Sequence, residues 1–193
     1  MRGILFILTF FFIFPVAGQV ITSPDGNTKA EFYQQDTHSG KQLFYKIFYK
    51  EKPVILESAL GISPWTDNKP FSVTEIKEEN RTGNDTVWVP LYGERNKIRD
   101  CYNSIELSLS DSSQVKRSVH IQVRAYNEGI AFRYFLTEHP EGGEYLHITS
   151  EQTEFSMPEG TRAWFTPVAQ APYELLPLSG WPGECERPLT LEL

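Results

Sequence analysis

Cysteine is scarce: the 193 residues hold two, Cys101 and Cys185. That excludes a disulfide framework. In an exported chain the two thiols could still pair, and spacing alone does not decide it. Basic residues are outnumbered, 18 against 25 acidic, for a net charge of −7. With no Lys/Arg cluster either, nucleic acid and anionic lipid are poor partners. No Gly-rich phosphate loop and no G-x-S-x-G occurs. The four histidines, His38, His120, His139 and His147, show no metal-ligand spacing. Acidic residues are many but scattered, and glycosidase chemistry needs two carboxyl groups held at a set distance. No stretch past residue 18 has convincing helical spacing, and there is no internal repeat or low-complexity linker.

One long hydrophobic run is present, at the start. Arg2 precedes an apolar segment, residues 4–14, followed by Pro15 and the small residues Val16, Ala17 and Gly18. This is the pattern of a secretory signal peptide, too short for a comfortable span of ~20 residues. Cleavage after Gly18 would leave Gln19 as the mature N-terminus; a retained anchor is the alternative. Loss of Arg2 with the leader leaves 17 basic residues and a net charge of −8. The mature chain, 19–193, suits one domain.

Past the leader, short period-two runs alternate with turn residues. Strands are expected at 28–34, 42–50, 53–56, 71–77, 86–92, 104–109, 119–126, 130–136, 145–149, 154–157, 162–165 and 188–193. Many short strands separated by Gly and Pro mean an antiparallel sandwich or barrel. In "VRAYNEGIAFRYFL" (123–136) two alternating runs meet at Asn127-Glu128-Gly129. The expected turn is a three-residue loop, with Gly129 in the positive-φ bulge position. Asn80-Arg81-Thr82 and Asn84-Asp85-Thr86 match the glycosylation acceptor pattern, and a polar loop is the reading there. His120 and His147 fall at outward strand positions, and Trp88 alternates with apolar neighbours as a core residue would. Residues 167–188, with five prolines and two glycines, read as an extended surface loop. Within it Trp181 is the best candidate for an exposed sugar-stacking platform, while Glu184 and Glu186 flank Cys185 as solvated charges.

Five stretches occur in order: "SPDGN" (23–27), "KPVILESALGI" (52–62), "WVPLYGERNKIRDCYN" (88–103), "VRAYNEGIAFRYFL" and "EQTEFSMPEGTRAWF" (151–165). Together they resemble the N-terminal domain of glycoside hydrolase family 97, whose members are exported bacterial α-glucosidases or α-galactosidases. The resemblance implies an all-β, antiparallel β-supersandwich (galactose-mutarotase-like), cut before a catalytic (β/α)8 barrel. It implies that the catalytic carboxylates and most of a calcium site belong to that barrel. The sandwich would pack on the barrel and complete the rim of the carbohydrate site. Tyr173, Glu174 and Trp181 are then the candidate substrate-binding residues, although "TPVAQAP" before Tyr173 departs from the family pattern. Trp164 would pack at the domain interface. No residue is assigned as catalytic and none as a metal ligand. A periplasmic or cell-surface location follows from the leader and the family. The competing readings are an autonomous carbohydrate-binding module and an adhesin-like structural domain.

Overall fold

A computed structural model describes residues 18–38, 40–63, 73, 75–110, 118–136 and 148–193. Within them the chain forms thirteen strands and one short 3-10 turn, Leu178–Gly180. The strands are β1 (Gln19–Thr22), β2 (Thr28–Thr37), β3 (Gly40–Tyr49), β4 (Lys52–Leu60), β5 (Ile62–Ser63), β6 (Glu75–Trp88), β7 (Ile98–Ser110), β8 (Ser118–Tyr126), β9 (Gly129–Phe135), β10 (Ser150–Glu151), β11 (Arg162–Phe165), β12 (Glu174–Pro177) and β13 (Thr190–Glu192). All pairings are antiparallel.

Two four-stranded meanders, β1-β2-β3-β4 and β6-β7-β8-β9, make the sandwich. The alternation explains their facing. In β8, Val119, Ile121, Val123 and Ala125 are buried. In β7, Ile105, Leu107 and Leu109 are, and in the other sheet Ala30, Phe32, Leu43 and Tyr45 are. All of these except Val119 belong to one apolar cluster fed by both sheets. Tyr45 lies at its centre. Its ring meets Phe132 of the opposite sheet edge-on at 5.7 Å, and its hydroxyl donates to the Glu154 carbonyl at 2.7 Å. That bond offsets the cost of burying a phenol.

The outer edges are managed. Arg81 and Asn103, on β6 and β7, donate to the Val20 and Thr22 carbonyls of β1. The extended segment 152–156 runs along β4 through Gln152 N–H to Gly61, Glu154 N–H to Ala59 and Leu56 N–H to the Ser156 carbonyl. Edge strand β6 is largely exposed and carries charges, including Glu75, Lys77, Glu79 and Arg81, which discourage pairing with another chain.

Several expectations change. Residues 80–85 are not a loop. They are the middle of β6, because pairing with β7 from Glu75↔Ser110 to Trp88↔Ile98 outweighs the poor strand preference of Asn, Asp and Gly. Asn84 is engaged there, its Nδ2 donating to the Asp100 carbonyl at 2.6 Å. The β8–β9 turn is two residues, not three, since Gly129 already pairs with Tyr126. Gly129 is not among the positive-φ residues. Asn127 explains the turn better: its Oδ1 accepts the Asp25 N–H at 3.1 Å and ties the hairpin to the 23–27 turn. His120 is buried rather than solvated. Phe135 lies beside it with ring centroids 5.0 Å apart, and Glu106 Oε1 stands 3.6 Å from its Nδ1. Trp88 is half-exposed, not core, because β6 and β7 run past the end of their neighbours at that point. Cys101 and Cys185 are both free and half-buried. The 167–188 stretch contains β12 and the 3-10 turn as well as loop. The segment 154–157 is extended but hydrogen-bonds to β4 without being a regular strand. Trp65, His139, His147 and the strand starts at residues 71 and 145 lie outside the described residues.

Candidate functional site

The three candidate substrate-binding residues lie on or beside a small third sheet of order β12-β11-β13. Alternation in "TRAWF" buries Thr161 and Ala163 and turns Arg162 and Trp164 outward. β12 adds on one side with Phe165↔Glu174 and Trp164↔Leu175 in register. β13 adds on the other, with Trp164↔Thr190. Directly opposed residues in an antiparallel pair share a face, so Glu174 stands beside Phe165. The Trp181 ring meets the same Phe165 edge-on, with centroids 5.0 Å apart and planes at 90°. Phe165 is thus the common neighbour of two of the three candidates. It was not singled out from the sequence.

Trp181 is half-buried rather than an open platform, with Phe165 packed perpendicular to it. Tyr173 is 61% exposed, one residue before β12. Glu174 is exposed at the strand's first position. The connection from β11 is fixed by Thr166, which is buried. Its hydroxyl lies 2.8 Å from the Val168 carbonyl, and its own carbonyl accepts the Glu186 N–H at 3.0 Å. That bond draws the 184–186 loop toward β11, with Glu184 and Glu186 both exposed. Trp164 is 39% exposed, and its indole N–H donates to Glu192 at 3.3 Å. The surface around β11 therefore offers two indoles, a phenol and several carboxylates. Flat aromatic faces with hydrogen-bonding neighbours suit contact with a sugar ring.

Tyr173, Glu174, Glu184 and Glu186 are all open to solvent. A hollow of about 280 Å3 opens between the two main sheets among Leu60, Gly61, Val73, Tyr134 and Glu154. Its carboxylate is spent structurally, since Glu154 Oε2 accepts the Ala59 N–H at 3.1 Å. Among the described residues no three His, Cys, Asp or Glu side chains gather into a group that could hold a metal ion. The calcium implied by the resemblance therefore has no site made by these residues alone.

Comparison with known proteins places this geometry. The chain is 24% identical over 148 residues to a retaining alpha-galactosidase of Bacteroides thetaiotaomicron, a match that covers 74% of this chain and 19% of that protein. A glycoside hydrolase family 97 enzyme from Pseudoalteromonas sp. strain K8 superposes with a TM-score of 0.74 at 26% identity, over 90% of this chain and 26% of its own. A structure of a family 97 enzyme from the same strain in complex with acarbose gives a TM-score of 0.68 at 27% identity, over 83% of this chain and 24% of its own. The chain thus spans about a quarter or less of the relatives it matches. The family model described as Glycosyl-hydrolase 97 N-terminal matches residues 21–193. With that match running through the sandwich and the small sheet alike, the chain belongs to the glycoside hydrolase 97 N-terminal family.

Proposed function

We propose that this chain is the non-catalytic N-terminal sandwich of an exported α-glycosidase, which packs on a catalytic barrel and forms part of the carbohydrate rim. The observation that supports this most is the family match over residues 21–193, in a chain that spans 26% of the solved relative. The acarbose-bound relative supports an α-glucoside class of substrate, and the curated relative an α-galactoside. Within the rim, Tyr173 and Trp181 supply ring contacts and Glu174 accepts sugar hydroxyls. Proton transfer and calcium binding are left to the barrel. Export rests on the leader pattern of residues 1–18.

The test is kinetic and uses the full polypeptide. Rim contacts made equally in ground and transition states raise KM with little change in kcat when removed. Tyr173→Ala, Glu174→Gln and Trp181→Ala are each expected to raise KM for the better aryl α-glycoside by about three- to tenfold. If all three leave KM and kcat unchanged, the rim assignment is wrong. N-terminal sequencing of exported material is expected to begin at Gln19; a start at Met1 contradicts export with cleavage.

A further inference from the structure

Strands β6 and β7 outrun the rest of their sheet. β8 pairs with β7 only from Tyr102 onward, whereas β6 stays paired to Trp88↔Ile98. Residues 85–88 and 98–101 therefore form a two-stranded arm without a third strand, closed by the loop 89–97. The arm is clamped at its base. Arg99 Nε and Nη2 each donate to an Asp85 oxygen at 2.7 Å, a bidentate pair. Past the clamp the side chains are apolar and open: Trp88 is 50% exposed, Val89 69%, Leu91 99% and Tyr92 90%. Glu94, Arg95 and Lys97 stand on the same loop, all exposed, with the basic residues in excess. Single exposed apolar residues need no explanation, but a contiguous group marks an interaction surface. A lone two-stranded ribbon is also marginal in water and gains from cover.

We propose that this arm is the element by which the sandwich docks on the catalytic domain of its own polypeptide. Val89, Leu91 and Tyr92 seat in an apolar recess there, and Arg95 and Lys97 face acidic groups at its margin. The proposal rests on the functional reading above and names the contact that reading requires. Size favours a tethered partner. The four apolar side chains offer on the order of 500 Å2, short of the ~800 Å2 per side that a stable free complex buries. A domain on the same chain meets the arm at an effective concentration in the millimolar range, roughly, so a small contact suffices. The relatives supply such a domain's worth of chain, since the matched segment is 26% of the solved enzyme.

Hydrogen exchange of residues 85–101 decides the matter, measured in the 193-residue chain and in the whole polypeptide encoded by the gene. Amides of the arm are expected to exchange at least about tenfold more slowly in the whole polypeptide. The double variant Leu91→Asp/Tyr92→Asp is expected to abolish that difference while leaving the melting temperature of the 193-residue chain unchanged. A whole polypeptide that hydrolyses α-glycosides but exchanges its arm as fast as the short chain refutes the docking proposal and leaves the functional reading intact. So does protection of the short chain that grows with its concentration, which means a second copy, or that appears only with anionic vesicles, which means a membrane. A reading frame that ends at Leu193, or a longer product with no glycosidase activity, removes the functional reading and the docking proposal with it.

Discussion

At the scale of the residue, Tyr45 shows how a polar group is built into an apolar core. Its side chain is fully buried, and its hydroxyl donates to the Glu154 carbonyl at 2.7 Å. Burial is the chief cause that pushes its pKa above the ordinary tyrosine value, with the nearby Tyr134 adding to it. Tyr33 is raised as well, by burial and by its hydrogen bond to Glu57. A raised acid keeps its proton in the folded state after the unfolded chain has lost it. Stability is therefore held below pH ~10 and falls as pH rises beyond it. Tyr45→Phe is expected to cost about 1 kcal/mol at pH 7, and to make the alkaline loss shallower, as urea midpoints between pH 7 and 11 would show. An unchanged alkaline slope would mean that Tyr45 ionises freely in the fold. The opposite sign applies at the acid end. Asp25 is held below its usual value by the Ser23 hydroxyl and by Asn27, and Glu78 by Arg81, so what they contribute is lost as pH falls below about 4. Tyr45 was legible only as part of an aromatic-rich strand, 42–50. The burial of His120 was not legible, because period two tells which face a residue takes and not whether Phe135 covers that face.

At the scale of the element, the turns carry the lesson. The β3–β4 hairpin turns on Lys50 and Glu51, with φ of 48° and 62°. Two residues in the left-handed region are what a tight hairpin of matching twist requires, and Asn-Gly meets that need with less strain. Lys50→Asn with Glu51→Gly is expected to stabilise the domain by about 1 kcal/mol, read as a higher urea midpoint at constant slope. A lower midpoint would show that Lys50 and Glu51 hold the turn through their side chains instead. Gly129 makes the contrasting case. It lacks a positive φ, and a Cβ there would meet nothing within 4 Å. Gly129→Ala is expected to change stability by less than about 0.5 kcal/mol, whereas Gly26→Ala, at φ 76°, costs about 1 kcal/mol or more. Equal costs at the two sites would contradict the turn assignment. The sequence placed the hairpin and misjudged its length, since Asn127 is there for a bond to Asp25 that lies 102 positions away. It also broke β6 at Asn80–Asp85, where local preference reads loop and only the partner strand makes a strand of it.

At the scale of the whole molecule, the all-β class and the family were legible, because alternation and five ordered motifs run through nearly the entire chain. The candidate site was legible only as residue types in a motif order. Tyr173, Glu174 and Trp181 were picked for residue type and position in the motif order. Phe165, the neighbour that Glu174 and Trp181 share, appears only once β12 is laid beside β11. The arm was missed for a similar reason: Trp88 looks like core until β8 is seen to stop short. What unites the account is the proposed division of labour, with a sandwich that borders the sugar site and a separate domain that cleaves the sugar. Hydrolysis of aryl α-glucosides and α-galactosides, assayed with and without calcium on the purified 193-residue chain and on the whole polypeptide, tests that division. The account predicts no turnover by the short chain under either condition and turnover of one substrate class by the whole polypeptide. Turnover by the short chain at about 1 per second or faster would contradict it.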